Sequence, residues 1–181
     1  MPEEANEHLI KLYLESKDFL VLTNHKVKVA SNKVLEVDII AVRYSKIKKD
    51  ALPNRIIGEV KAWKIRANNF KSCYDKKKPN SGNVRDSFKI INNYNFRKIV
   101  NSNIENKYGR GFKFCIFADV VKADKKKIEN FFKKEGITLI PYNDIVTDII
   151  KYARSKTYSN DPELQLIRLM DKSKVLNKNG Q

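Results

Sequence analysis

The sequence predicts an α/β fold, a central mixed sheet flanked by helices. Two observations lead there. Segments with helical and strand periodicity alternate in the order α-β-β-β-α-β-α-β-α-α, which begins with a three-strand meander and then crosses over through helices. Two of the strands also carry charge inside otherwise apolar runs: Asp38 in Val34–Val42, and Glu59 with Lys61 in Arg55–Trp63. Charges buried in a sheet are costly unless they are paired or hold an ion.

Residues Glu4 to Lys17 read as a helix with Leu9, Ile10, Leu12, Tyr13 and Leu14 along its apolar stripe. Phe19–Thr23 reads as a strand that Val27–Ala30 continues or pairs with, and Ser31-Asn32-Lys33 is a turn. Val34–Val42 is the second arm of that hairpin. Tyr44 to Asn54 is a basic loop, and Arg55–Trp63 is the third strand.

From Lys64 to Asn83 no periodicity survives, and Lys76 to Gly82 is rich in lysine and turn residues, as expected of a loop. Helical spacing returns from Asp86 to about Lys107, with Asn92 to Asn95 a possible break, and Gly109-Arg110-Gly111 ends it. Phe112–Asp119 is a strand reached by crossover. Lys125–Lys134 is a helix stopped by Gly136, Ile137–Pro141 a short strand, and Asn143–Arg154 a helix with Asn143 as its N-cap. A last amphipathic helix follows Asp161-Pro162. Residues 1–172 are expected to form one domain and 173–181 a disordered tail.

Composition narrows the function. The apolar share is 41%, and the apolar runs fall far short of the ~20 residues that span a bilayer, so no membrane role is expected. The start, Met1 to Glu7, is acidic and unlike a signal peptide, which favours a cytoplasmic location. Cys73 and Cys115 lie far apart, Cys73 in a polar loop and Cys115 as a small core residue. The two isolated histidines, His8 and His25, do not make a zinc site. The formal net charge of +16 concentrates polyanions and points to nucleic acid, although a lysine-rich codon bias would load any protein the same way. No protein partner is inferable.

In a strand, side chains two apart share a face at about 6.6 Å. Glu59 and Lys61 therefore point the same way, with Ile57 and Trp63, and Asp38 shares a face with Glu36. On neighbouring strands Asp38 and Glu59 can converge on one cation, and oxygen-only ligation suits Mg²⁺ or Mn²⁺. Lys61 would then reach a scissile phosphate. Taken singly, Glu59 and Lys61 are also the pattern of a solvated strand face, Asp38 that of a backbone-bonded aspartate, and Glu36 that of an exposed charge.

This order (a helix with Glu7, a strand, a strand with Asp38, a strand with Glu59-Val60-Lys61) resembles the PD-(D/E)xK nuclease superfamily, over about Glu4 to Phe117. The superfamily includes restriction endonucleases and archaeal Holliday-junction resolvases. The resemblance implies a restriction endonuclease-like αβββαβ core with extra C-terminal helices. It also implies a metal ion held by Asp38, Glu59 and the Val60 carbonyl, with Glu7 joining directly or through water, and Lys61 as the catalytic lysine. Val37 stands where the family carries proline, and Asn68 and Asn69 where many members carry glutamine.

The expected activity is Mg²⁺-dependent hydrolysis of DNA phosphodiesters, structure-selective on junctions or branches because no separate recognition domain is evident. The alternative is a nucleic-acid-binding module that kept the fold and does not cut. Lys46, Lys48, Lys49, Lys64, Arg66, Lys71, Lys76, Lys77 and Lys78 are candidates for gripping phosphates; each is also an ordinary solvated cation. Trp63 is a candidate for stacking on a base or for covering the core. Family members that cut two strands commonly act as homodimers, so the helix Glu163–Met170 could be a dimer surface or pack on its own core.

Overall fold

The computed structural model describes residues 3–45, 50–66, 94–155 and 162–173. The elements are α1 (Glu3–Glu15), β1 (Phe19–Ala30), β2 (Lys33–Arg43), β3 (Arg55–Ile65), α2 (Tyr94–Tyr108), β4 (Lys113–Val120), a 3₁₀ turn (Lys122–Asp124), α3 (Lys125–Lys134), β5 (Thr138–Pro141), α4 (Tyr142–Ser155) and α5 (Pro162–Lys172). The segment read as a helix from Asp86 begins its described part at Tyr94. The strands β1 to β5 lie side by side in sequence order. β1, β2 and β3 pair antiparallel, whereas β3, β4 and β5 pair parallel. The chain is thus α/β with a mixed sheet and helices on both faces. Among the described residues no helix is long and apolar enough to cross a membrane.

Alternation along the strands distributes the core. β4 is apolar at every step from Phe114 to Ala118, as a strand covered on both faces must be. Its Cys115 and Phe117 join Ile10 and Leu14 of α1, Ile145 and Ile149 of α4 and Leu164 of α5. Ile116 and Ala118 meet Ile128 and Phe132 of α3. On β3, Ile56 and Val60 face α1, and Ile57 faces Val100 and Ile104 of α2. Burial pushes the Cys115 thiol up to about 12, so it behaves as a small core hydrophobe.

β1 is one continuous strand, but its faces exchange partway. Phe19 and Val21 pack toward α1, whereas Val27 and Val29, at positions of the same parity, pack toward α2. β2 does the same, with Ile39 and Ala41 on one side and Leu35 and Val37 on the other. The change falls between the pairs Thr23↔Ile39 and His25↔Val37, where Asn24 and Asp38 drop out of the ladder. Asn24 has a φ of 56°, a left-handed conformation that asparagine tolerates better than most residues. This corrects the expectation that Asp38 shares a face with Glu36: simple alternation fails at Asp38. Glu36 is exposed, as read.

β2 pairs with β3 only from Ile39 to Val42, so the two strands separate beyond Ile39↔Gly58. Just before that point they are pressed together. A Cβ on Gly58 would sit 2.7 Å from Phe117 Cε2 and 2.9 Å from Ile39 Cβ. The other end of β2 is tied down by Arg43, which donates to the Lys17 carbonyl at 3.0 Å and to Asp50 at 2.6 Å.

Candidate functional site

Asp38 stands where β2 leaves β3, one residue beyond the last paired position Ile39↔Gly58, and its charge acts on Glu59. Its Oδ2 accepts a hydrogen bond from the backbone N–H of Val60 at 2.6 Å. The carboxylate thus takes the place of a departed strand partner. The N–H and carbonyl of one strand residue point to the same side, so the Val60 carbonyl faces the same opening.

Glu59 follows Gly58 on β3 and is buried, with 8% exposure. Its Oε1 is 2.6 Å from Lys61 Nζ, the ion pair expected for side chains two apart. Its Oε2 is buried with no hydrogen-bond partner among the described residues. Burial raises the Glu59 carboxyl most, the Lys61 cation opposes that, and the Asp38 charge adds to it; the result is about 7. An acceptor oxygen without a donor, next to a second carboxylate, is what a hard cation would complete.

The helix that carries Glu7, α1, packs on the face of β3 that holds Ile56 and Val60, while strand alternation turns Glu59 and Lys61 to the other face, with Ile57. Among the described residues, no three histidine, cysteine or acidic side chains stand close enough to hold one ion. Glu7 and Asp38 do meet electrostatically at Tyr142. Burial raises the phenol well above its usual range, and the charges of Asp38, Asp119 and Glu7 raise it further.

The basic candidates fall into three groups. Lys64 and Arg66 are exposed at the carboxyl end of β3, and Lys64 pairs with Asp119 at 3.5 Å. The β2–β3 connection that carries Lys46, Lys48 and Lys49 is anchored at Arg43 and Arg55, about 20 Å along β3 from Lys61. Those three, with Lys71, Lys76, Lys77, Lys78, Cys73, Asn68 and Asn69, lie outside the described residues, as do the Trp63 side chain and residues 174–181.

Sequence reasoning missed Asn6, Asp119 and Tyr142. Asp119 had a visible signal, an acid ending an apolar parallel strand, where α/β sheets place ligands. Asn6 and Tyr142 are ordinary in sequence and acquire meaning only because α1 packs beside the start of α4. No family model, no curated protein and no solved structure matches the chain.

Proposed function

We propose that the chain is a Mg²⁺-dependent endonuclease that hydrolyses DNA phosphodiesters, with a restriction endonuclease-like core of the PD-(D/E)xK kind. One observation carries this reading. Where β2 leaves β3, Asp38 accepts the Val60 N–H and its charge acts on Glu59, which has a buried oxygen without a partner among the described residues, beside Lys61. Support comes also from the order α1-β1-β2-β3-α2-β4, with its antiparallel meander and parallel fourth strand, and from the +16 charge.

Asp38, Glu59 and the Val60 carbonyl would hold Mg²⁺, with Mn²⁺ as a substitute, while Glu7 stands apart on the helix that packs the opposite face of β3. When bound, the ion would lower the pKa of the attacking water and neutralise the leaving oxygen. Asp38 fixes the opening between the strands through the Val60 N–H. Lys61, paired with Glu59 in the free protein, exchanges that contact for the scissile phosphate and offsets its growing charge. Junctions or branched DNA are the substrates proposed for it. A homodimer would use α5, which buries Leu164 and exposes Leu166 and Leu169.

A second reading, a nucleic-acid-binding module that does not cut, is favoured by the closed Glu59–Lys61 pair and by the lack of a three-ligand group among the described residues. Incubation with supercoiled, branched and single-stranded DNA in Mg²⁺, Mn²⁺ or EDTA separates the two. Cleavage that needs the metal and is lost in Asp38→Ala and Lys61→Ala supports the nuclease. Intact DNA under every condition, or variants that cut like wild type, rejects it.

A further inference from the structure

The outer surface of α3 is a one-sided stripe of positive charge. Its inward side chains, Ile128 and Phe132, are buried against Ile116 and Ala118 of β4. At about 3.6 residues per turn, the opposite side carries Lys126, Lys127, Asn130, Lys133 and Lys134, all exposed. No acid interrupts that side. Glu129 lies on the flank, 3.9 Å from Lys125, and Glu135, just past the helix, is held by Arg97 at 3.1 Å. Among the described residues none of the four lysines is in an ion pair. Like charges crowded on one short helix repel one another, so a polyanion laid across them relieves that repulsion. The stripe continues past the end of α3. There Lys98 of α2 and Lys113 of β4 stand exposed on the wall of a groove of about 330 Å³.

The sheet register places this stripe relative to the candidate site. Glu59 pairs with Ile116 and Lys61 with Ala118, and residues paired across a ladder point to the same face. Because α3 covers Ile116 and Ala118, it lies on the face to which Glu59 and Lys61 turn. The helix runs back from the carboxyl end of β4 to the amino end of β5. Lys126 and Lys127 therefore stand toward the end of the sheet that carries Lys61.

The chemistry of the stripe selects its occupant. Its outer side has no aromatic ring on which an unpaired base could stack, and no large apolar group to enter a bilayer. Ammonium groups alone suit phosphates, and duplex DNA presents one negative charge per ~1.7 Å of its axis. We propose that the outer face of α3 is a docking surface for the sugar–phosphate backbone of a DNA duplex. Lys126, Lys127, Lys133 and Lys134 contact its phosphates, and Asn130 donates between them. The proposal rests on the nuclease reading for the fate of that DNA: the duplex arm held on α3 flanks the strand cut beside Glu59 and Lys61. Phosphate contacts carry no sequence information, which fits a substrate chosen by its branching.

The test is anisotropy of a short fluorescent duplex in EDTA, where cleavage plays no part, over a series of salt concentrations. Lys126→Gln/Lys127→Gln/Lys133→Gln/Lys134→Gln is compared with a control that loses the same charge at other exposed lysines, Lys26→Gln/Lys28→Gln/Lys151→Gln/Lys172→Gln. The α3 variant is expected to bind about tenfold more weakly or worse, with its slope of log affinity against log salt reduced by about 3 to 4. Its melting temperature should hold, because no buried contact is lost. The control should keep most of the affinity and slope, and Lys126→Arg/Lys127→Arg/Lys133→Arg/Lys134→Arg should bind like wild type. A single strand and phosphatidylserine vesicles are run beside the duplex.

Equal weakening of the α3 variant and the control shows that only total charge matters and overturns the proposal. So does an α3 variant that holds the duplex like wild type, or that loses only the single strand or the vesicles. If duplex binding depends on α3 but no DNA is ever cut, the nuclease reading fails and the docking surface stands. If DNA is cut in Mg²⁺ and the α3 variant binds and cuts like wild type, the docking surface alone fails.

Discussion

The carboxylate of Asp38 accepts the backbone N–H of Val60 at 2.6 Å, across the point where two strands stop pairing. An acid that completes a broken ladder is structural and is also held rigidly for chemistry. The two roles separate by substitution. Asp38→Asn keeps an oxygen acceptor for Val60 and should fold with nearly wild-type stability. Asp38→Ala leaves that N–H unsatisfied and should cost about 1–2 kcal/mol in urea unfolding. Both should lose metal-dependent stabilisation. Equal stability of the Ala and Asn variants would show that water replaces the carboxylate.

Glu59 makes the metal-free protein sensitive to pH. Its carboxyl lies at about 7 in the fold against an ordinary 4.5, so the folded state binds the proton more tightly. That stability is fully present below about pH 4.5 and is lost as pH rises through about 7. The shift corresponds to roughly 3 kcal/mol. Urea unfolding in EDTA should therefore show wild type weaker at pH 8 than at pH 5, with Glu59→Gln flattening the difference. Excess Mg²⁺ should restore stability mainly at the higher pH, where the carboxylate is free of its proton. A wild-type curve as flat as that of Glu59→Gln would remove this account.

Gly58 sets how closely β2 approaches β3 next to the site. A methyl group there meets Phe117 and Ile39, both fully buried, so neither can move aside cheaply. Gly58→Ala should lose about 1–3 kcal/mol. It should also impair the site more than its stability loss explains, because Ile39 and Gly58 directly adjoin Asp38 and Glu59. Activity or Mg²⁺ affinity per folded molecule checks this; unchanged values would mean that the strands absorb the methyl elsewhere.

Asp38, Glu59 and Lys61 were legible in the sequence because a charge inside an apolar strand is expensive, so it needs a reason. The Glu59–Lys61 contact followed from the two-residue repeat of a strand. The strand meander and its parallel continuation were legible from periodicity and from the helix that a parallel crossover requires. The exchange of faces along the hairpin was not. Val21, Val27 and Val29 keep one parity, and nothing in that pattern says that a single left-handed residue between them turns the strand over. Asn6 and Tyr142 were hidden for another reason. Their meeting depends on packing α1 against the start of α4, a contact between distant parts of the chain.

The turn-over at Asn24 can itself be tested. The φ of 56° is accessible to glycine and costs a β-branched residue about 1–2 kcal/mol. Asn24→Gly should therefore stay close to wild type, and Asn24→Val should be destabilised by that amount. The loss should be local, because Val27, Val29, Leu35 and Val37 reach α2 only if the hairpin turns there. Amide hydrogen exchange in Asn24→Val should speed up along His25–Val37 before it does so in β4. Asp38 lies across from Asn24, so the same variant should weaken Mg²⁺ binding while Asn24→Gly preserves it. Uniform loss of protection across the whole sheet, or unaltered metal affinity in Asn24→Val, would show that Asp38 is held by Val60 alone and that the turn-over shapes only the hairpin tip.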